Sequence, residues 1–127
     1  MSVFDSFATV RPYKIWDGAV ARAITGENVQ VALIDIVPNA RVPQHHHHNE
    51  QAGFIVQGSL VFTVGDEVRE LHAGDTYVIP GNLPHSAVTG PDGCVVIDTF
   101  SPPRSDWEAL ERLEPGPGEW PASQRTK

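Results

Sequence analysis

Residues 39–58 read NARVPQHHHHNEQAGFIVQG, with four consecutive histidines, His45 to His48, at their centre. Side chains alternate between the two faces of an extended chain, so His45 and His47 share one side and His46 and His48 the other. Gln51 has the parity of His45 and His47. A strand here would therefore aim two imidazoles and an amide at one interior. His85 follows on a later β-rich run, two positions before Ala87, and offers a further imidazole. This donor set suits one divalent transition metal, with Ni, Fe, Mn, Zn and Cu all open. A second register, His46, His48 and Glu50, also shares parity and includes a carboxylate.

Outward from this stretch the chain reads as all-β. Short apolar or alternating runs occur at 29–37, 51–57, 60–64, 67–71, 76–79, 85–89 and 94–100, with one or two weaker strands within 13–25. Turn signals separate them at Pro38-Asn39, Gly65-Asp66, Gly74-Asp75, Pro80-Gly81-Asn82 and Gly90 to Gly93. Turns about every ten residues predict a β-sandwich or barrel. Phe54 and Tyr77 fall within strands and read as core, and Trp16 and Trp107 as packing residues. One helix is predicted over 105–113: Ser105 and Glu108 form a capping box, and Trp107, Leu110 and Leu113 share a face. Residues 115–127, rich in Pro and Gly, read as an irregular tail.

The 127 residues suit a single domain, 1–127, with its core over about 10–114. One cysteine, Cys94, allows no internal disulfide. The net charge of −7 disfavours nucleic acid and anionic membranes as partners. With no secretory signal and no apolar run long enough to cross a bilayer, the expectation is a cytoplasmic protein. An exposed sheet edge needs covering, which makes a homodimer the expected assembly.

Two spacings carry a family resemblance. Asn39, His45, His47, Gln51 and Gly58 follow the first cupin motif, Gly-x5-His-x-His-x3,4-Glu-x6-Gly; Gly74, Pro80, Asn82, His85 and Thr89 follow the second, Gly-x5-Pro-x-Gly-x2-His-x3-Asn. The chain thus resembles the cupins, which implies a jelly-roll β-barrel with a metal held by His45, His47, Gln51 and His85. It departs from the pattern at Asn39 and Asn82 (for Gly), Gln51 (for Glu) and Thr89 (for Asn). Asn tolerates the left-handed turn conformation that Gly supplies. This register keeps the distances to Asn39 and Gly58 that the His46, His48, Glu50 alternative breaks. Glu50, His46 and His48 then face away, and His72 is a surface residue. Three imidazoles and an amide leave the ion's charge uncompensated, which favours Lewis-acid chemistry.

Residues 98–107, DTFSPPRSDW, sharpen the resemblance. They are similar to the Asp-x-Phe-x3-Arg arrangement of the KdgF group, pectin-degradation cupins that linearise unsaturated uronates. That likeness implies that Asp98, Phe100 and Arg104 line the pocket: Asp98 as general acid/base, Phe100 as a wall for the sugar ring, Arg104 as a fork for the substrate carboxylate. Each also has a plainer reading, Asp98 as a turn cap, Phe100 as core and Arg104 as an anchor on Asp106 or Glu108. The expected activity is a metal-dependent ring-opening isomerisation of a small sugar acid such as a 4,5-unsaturated uronate. Two alternatives stay open on this fold: a metal-dependent oxygenase or polyketide cyclase, and a non-catalytic module that binds a small ligand.

Overall fold

The computed structural model describes residues 2–121. Within them the β-rich runs become eight strands: β1 (Tyr13–Trp16), β2 (Ala19–Thr25), β3 (Gln30–Ile36), β4 (Arg41–His45), β5 (Glu50–Val64), β6 (Glu67–His72), β7 (Thr76–Ile79) and β8 (His85–Ser101). All belong to one antiparallel sheet with the path β1-β2-β3-β8-β5-β6, β4 pairing with β8 and β7 with β5. Among the described residues the ladder does not close on itself.

The two long strands, β5 and β8, pair from Glu50↔Ser101 to Val64↔His85 and turn a shared corner. Between Gly58↔Cys94 and Leu60↔Thr89, β5 contributes one residue, Ser59, whereas β8 contributes four, Gly90 to Gly93. Gly58 (φ 80°) and Gly93 (φ 74°) both take left-handed conformations there. A Cβ on Gly58 would overlap the Gly93 carbonyl, so only glycine permits the approach. On one side of the corner β8 pairs with β3, and β5 with β7; on the other, β8 pairs with β4, and β5 with β6. Ile34, Ile55 and Val96 from the first half join Leu60, Phe62 and Ala87 from the second in one buried cluster. Burying each large aliphatic side chain contributes roughly 1.5–3 kcal/mol.

The runs expected at 51–57 and 60–64, and at 85–89 and 94–100, are thus two continuous strands bent at glycines. The strand β4 was not expected, because Arg41–His45 lacks apolar alternation and contains Pro43. Its pairing with β8 is irregular between Val42 and His45, where proline has no N–H to donate. Asn39 (φ 55°) and Asn82 (φ 68°) do adopt the left-handed turn conformation. Phe54, expected in the core, instead lies 41% exposed on the outer face.

The predicted C-terminal helix is a correction: Ser105–Ala109 form only a 3-10 turn, and Ser105 makes no capping bond. Trp107 enters the core, 5.3 Å from Phe100 and 5.7 Å from Tyr13 between ring centroids. Then the backbone pairs with the start of the chain: Lys14 N–H donates to Glu111 O (3.0 Å) and Leu113 N–H to Pro12 O (2.8 Å). A nine-residue helix is marginal alone, and this extended pairing displaces it. Residues 115–121 carry no helix or strand and cross the outer face of β2 and β3, where Arg22 pairs with Asp35 at 2.9 Å and donates to the Trp120 carbonyl at 3.2 Å. The rest of the expected tail, 122–127, lies outside the described residues.

Candidate metal centre and its cavity

His45 ends β4 and stands opposite His85, the first residue of β8. His47 does not sit on a continuous strand with them, contrary to expectation. Residues 46–49 form a turn, anchored where Asn82 N–H donates to the His47 carbonyl at 2.7 Å. The alternation survives this break: His45 and His47 are half-buried, while His46, His48 and Glu50 are exposed. The donor atoms of His45, His47 and His85 all lie within 4.8 Å of one another, so these three could hold a metal ion. Gln51 is buried, with its Oε1 3.1 Å from His47 Nε2.

Each imidazole is oriented through its other nitrogen. His45 Nδ1 lies 2.8 Å from Pro43 O, His47 Nδ1 3.1 Å from Asn49 O, and His85 Nδ1 2.9 Å from Leu83 O. A proton on each Nδ1 satisfies the carbonyl and leaves the Nε2 lone pair for a ligand, the usual arrangement at metal-binding histidines. His85 Nε2 is buried without a hydrogen-bond partner. In that tautomer His47 Nε2 and Gln51 Oε1 are two acceptors facing one another. A cation would satisfy all of these atoms, so the residues present fit a divalent metal. Burial holds His47 and His85 down at about 4, Arg104 adding to the effect on both, and lowers His45 as well. The imidazoles are therefore neutral near pH 7, as coordination requires.

One layer deeper sits Asp98, between Ala32 on β3 and Gly53 on β5. Gly53 in turn faces Tyr77 on β7. A Cβ on Gly53 would collide with the Asp98 carboxylate and the Tyr77 hydroxyl. The missing side chain lets Tyr77 reach across the sheet and donate to Asp98 Oδ1 at 2.6 Å. Burial raises the Asp98 carboxyl to about 6, opposed by hydrogen bonds from Tyr77 and Gln51 and by the charge of Arg104. Tyr77 is thus no plain core residue, and its signal was its inward parity with Ile79 and its polar tip.

Arg104 is buried, its Cζ 5.0 Å from the Phe100 ring and 5.0 Å from the Trp107 ring. Its Nε and Nη2 each donate to Asp106 at 2.9 Å, and its backbone N–H donates to Gln30 Oε1 at 3.0 Å. The guanidinium holds Asp106 below the usual carboxylate range. Only Nη1 makes no hydrogen bond among the described residues. Phe100 is almost fully buried, packed edge-on to His47 with centroids 5.7 Å apart. His72 is exposed and pairs with Glu70. Asn49 was not foreseen: it is buried, and its amide donates to the Pro102 and Pro103 carbonyls at 2.6 and 3.2 Å, tying the histidine turn to the segment carrying Arg104. A cavity of about 70 Å³ connects His45, Gln51, His85, Asp98, Phe100 and Arg104.

Residues 32–100, more than half of the chain, match the family described as the cupin domain. The chain belongs to the cupin family. This cupin is 30% identical over 96 residues to the pectin degradation protein KdgF of Dickeya dadantii (strain 3937), covering 74% of this chain and 87% of that protein. It is 36% identical over 75 residues to the H2HPP isomerase of Bacillus subtilis, covering 57% of this chain and 31% of that protein. The solved structure of KdgF from Halomonas sp. superposes with a TM-score of 0.69 at 28% identity, over 75% of this cupin and 88% of that chain. No helix among the described residues is long and apolar enough to cross a membrane.

Proposed function

We propose that this cupin is a metal-dependent isomerase that moves a proton on a small carboxylate, with a 4,5-unsaturated uronate as the first substrate to test. What carries the reading is the placement of a buried carboxylate, Asp98, on the same cavity as His45, His85 and Gln51, with His47 completing the imidazole cluster and each Nδ1 turned to a backbone carbonyl. His45, His47, Gln51 and His85 hold the ion. Bound there, a divalent transition metal supplies Lewis-acid polarisation of a substrate oxygen.

The protein side of the reaction follows from the contacts. Asp98 takes the proton from one substrate carbon or hydroxyl and returns it at another, as general base and then acid. Tyr77 fixes the carboxylate's orientation by donating to Oδ1. Arg104, held in place by Asp106, offers its remaining Nη1 to the substrate carboxylate, and Phe100 walls the pocket. In this reading the folded-over sheet serves as the family's jelly-roll barrel. The protein works as a cytoplasmic homodimer, with exposed Phe54 and Val78 on the outer face among the residues to be covered.

Incubation of metal-loaded protein with 4,5-unsaturated monouronate should accelerate loss of the ring-alkene absorbance. Asp98→Asn should slow it by roughly 10²–10⁴-fold while metal content stays unchanged. Full activity in Asp98→Asn would refute the assignment. Ligand binding without turnover in either form would favour a binding module. Light scattering on the purified protein tests the dimer.

A further inference from the structure

The cavity has a polar mouth and an apolar floor, and the sheet register gives the order of its layers. Across β3, β8 and β5 the inward residues run Gln30–Phe100–Gln51, then Ala32–Asp98–Gly53, then Ile34–Val96–Ile55. The facing half repeats the order: His45 and His85, then Val42, Ala87 and Phe62, then Leu60. Below the imidazoles, therefore, the lining is Val42, Ala87 and Phe62, level with and facing Asp98, then Ile34, Val96 and Leu60. Small side chains at Ala19 and Ala87 leave the space open.

The polar side chains on this cavity already have partners or a stated task. His45, His85 and Gln51 belong with His47 to the ion site, Tyr77 and Asp98 hold each other, and two of the three Arg104 nitrogens hold Asp106. Among the described residues this leaves Arg104 Nη1, the Ser86 hydroxyl and the indole N–H groups of Trp16 and Trp107 as uncommitted donors, none of which belongs to the floor residues. A substrate carboxylate engages the first. A sugar acid would then bring several hydroxyls to a wall of methyl groups. Each hydroxyl buried without a partner lowers affinity by roughly tenfold or more, whereas each methylene buried there raises it roughly fourfold.

We infer that the substrate of this site is a small carboxylate whose body, beyond the metal-binding head, is an alkyl or aryl group rather than a polyhydroxylated chain or ring. This rests on the isomerase reading for the head group alone; the body is read from the floor of the cavity. It separates the chemistry expected here from the uronate of the first test. Ile34, Val96 and Ala87 become specificity-determining residues, and they touch the part of the substrate that does not react.

Four acids that share one 2-oxo-carboxylate head test it by calorimetry on the metal-loaded protein: pyruvate, 4-methyl-2-oxopentanoate, phenylpyruvate and 2-oxo-3-deoxygluconate. The branched and aromatic acids should bind at least about tenfold more tightly than pyruvate, and the hydroxylated acid no more tightly than pyruvate. Equal affinities for all four, tighter binding of the hydroxylated acid, or no binding of any overturns the inference. Ala87→Leu fills the floor and should weaken both bulky acids at least about tenfold, with pyruvate affected less and metal content intact. Equal weakening of all three would place the body elsewhere and overturn the assignment of the floor. Solvent deuterium exchange at C3 of the bound acids is read in parallel. No exchange with the binding preference intact removes the isomerase reading alone; exchange without the preference removes this inference alone.

Discussion

Tyr77→Phe removes one hydroxyl and leaves the ring, so it isolates the bond to Asp98. That bond is short, 2.6 Å, and ends on a buried carboxylate with Gly53 beneath it. A hydrogen bond to a charged group contributes about 1.5–3 kcal/mol, and one pKa unit corresponds to about 1.4 kcal/mol. The carboxyl, raised by burial to about 6 with Tyr77 opposing the rise, should therefore move up by roughly one to two units in the variant. At pH 7 Asp98 would go from mostly ionised to about half protonated or more. The folded-state value lies above the ordinary carboxylate value of 3.8, so the folded protein binds more protons than the unfolded chain between pH 3.8 and about 6. Asp98 thus weakens the fold as pH rises through that window. In Tyr77→Phe the loss should continue above pH 6. The assay is a ¹³C titration of the Asp98 carboxyl in metal-free protein, with urea unfolding at several pH values beside it. A midpoint that is unchanged or falls would show that the hydroxyl does not support the ionised form, and the reasoning would fail.

Three further outcomes follow from the same geometry. In His85→Ala, metal content after dialysis should drop to background while the far-ultraviolet dichroism stays that of the wild type; retained stoichiometric metal would remove His85 from the ligand set. Gly58→Ala puts a Cβ at a left-handed residue and against the Gly93 carbonyl; it should lower unfolding stability by at least about 1–3 kcal/mol, and an unchanged urea midpoint would contradict the corner. For the metal-free protein, His47 and His85 have folded values of about 4 against an ordinary 6.5, so the unfolded chain binds more protons between those limits. Their contribution to stability is complete above pH 6.5 and is lost as pH falls toward 4; Asp98→Asn removes the opposing carboxylate, and in that background unfolding that shows no such acid-side loss would mean the imidazoles are not held neutral.

The positions of the strands other than β4 were legible because period-two alternation and turn residues are local signals. What joins the strands was not. Gly90 to Gly93 reads as a hairpin turn, but its function is to let β8 change partners while Gly58 crosses beneath it. The two glycines that decide this are 35 residues apart, and no window of sequence contains their contact. The 3-10 turn failed for the same reason. The Ser105–Glu108 pattern favours a helix locally, but Pro12 and Lys14 from the far end of the chain take the backbone groups of Leu113 and Glu111.

The candidate site divides along a similar line. Parity assigned His45, His47 and Gln51 to one side and His46, His48 and Glu50 to the other, and that division survived a turn that breaks the strand between them. Alternation reports a face, however, and carries no information about depth. Depth comes from the register between strands, which places Asp98 one layer below the imidazoles and opposite a glycine. Only at that depth does Tyr77 change from a core aromatic into a hydrogen-bond donor. The Arg104 fork on Asp106, two residues away, was by contrast among the readings that local sequence offered. The candidate metal cluster was readable because coordination needs residue types on a shared face. Asp98 was singled out as well, but its pairing with Tyr77 was not, because that depends on which side chains are missing at the positions across the sheet, and Gly53 is the residue whose absence of a side chain makes the Tyr77–Asp98 pair possible.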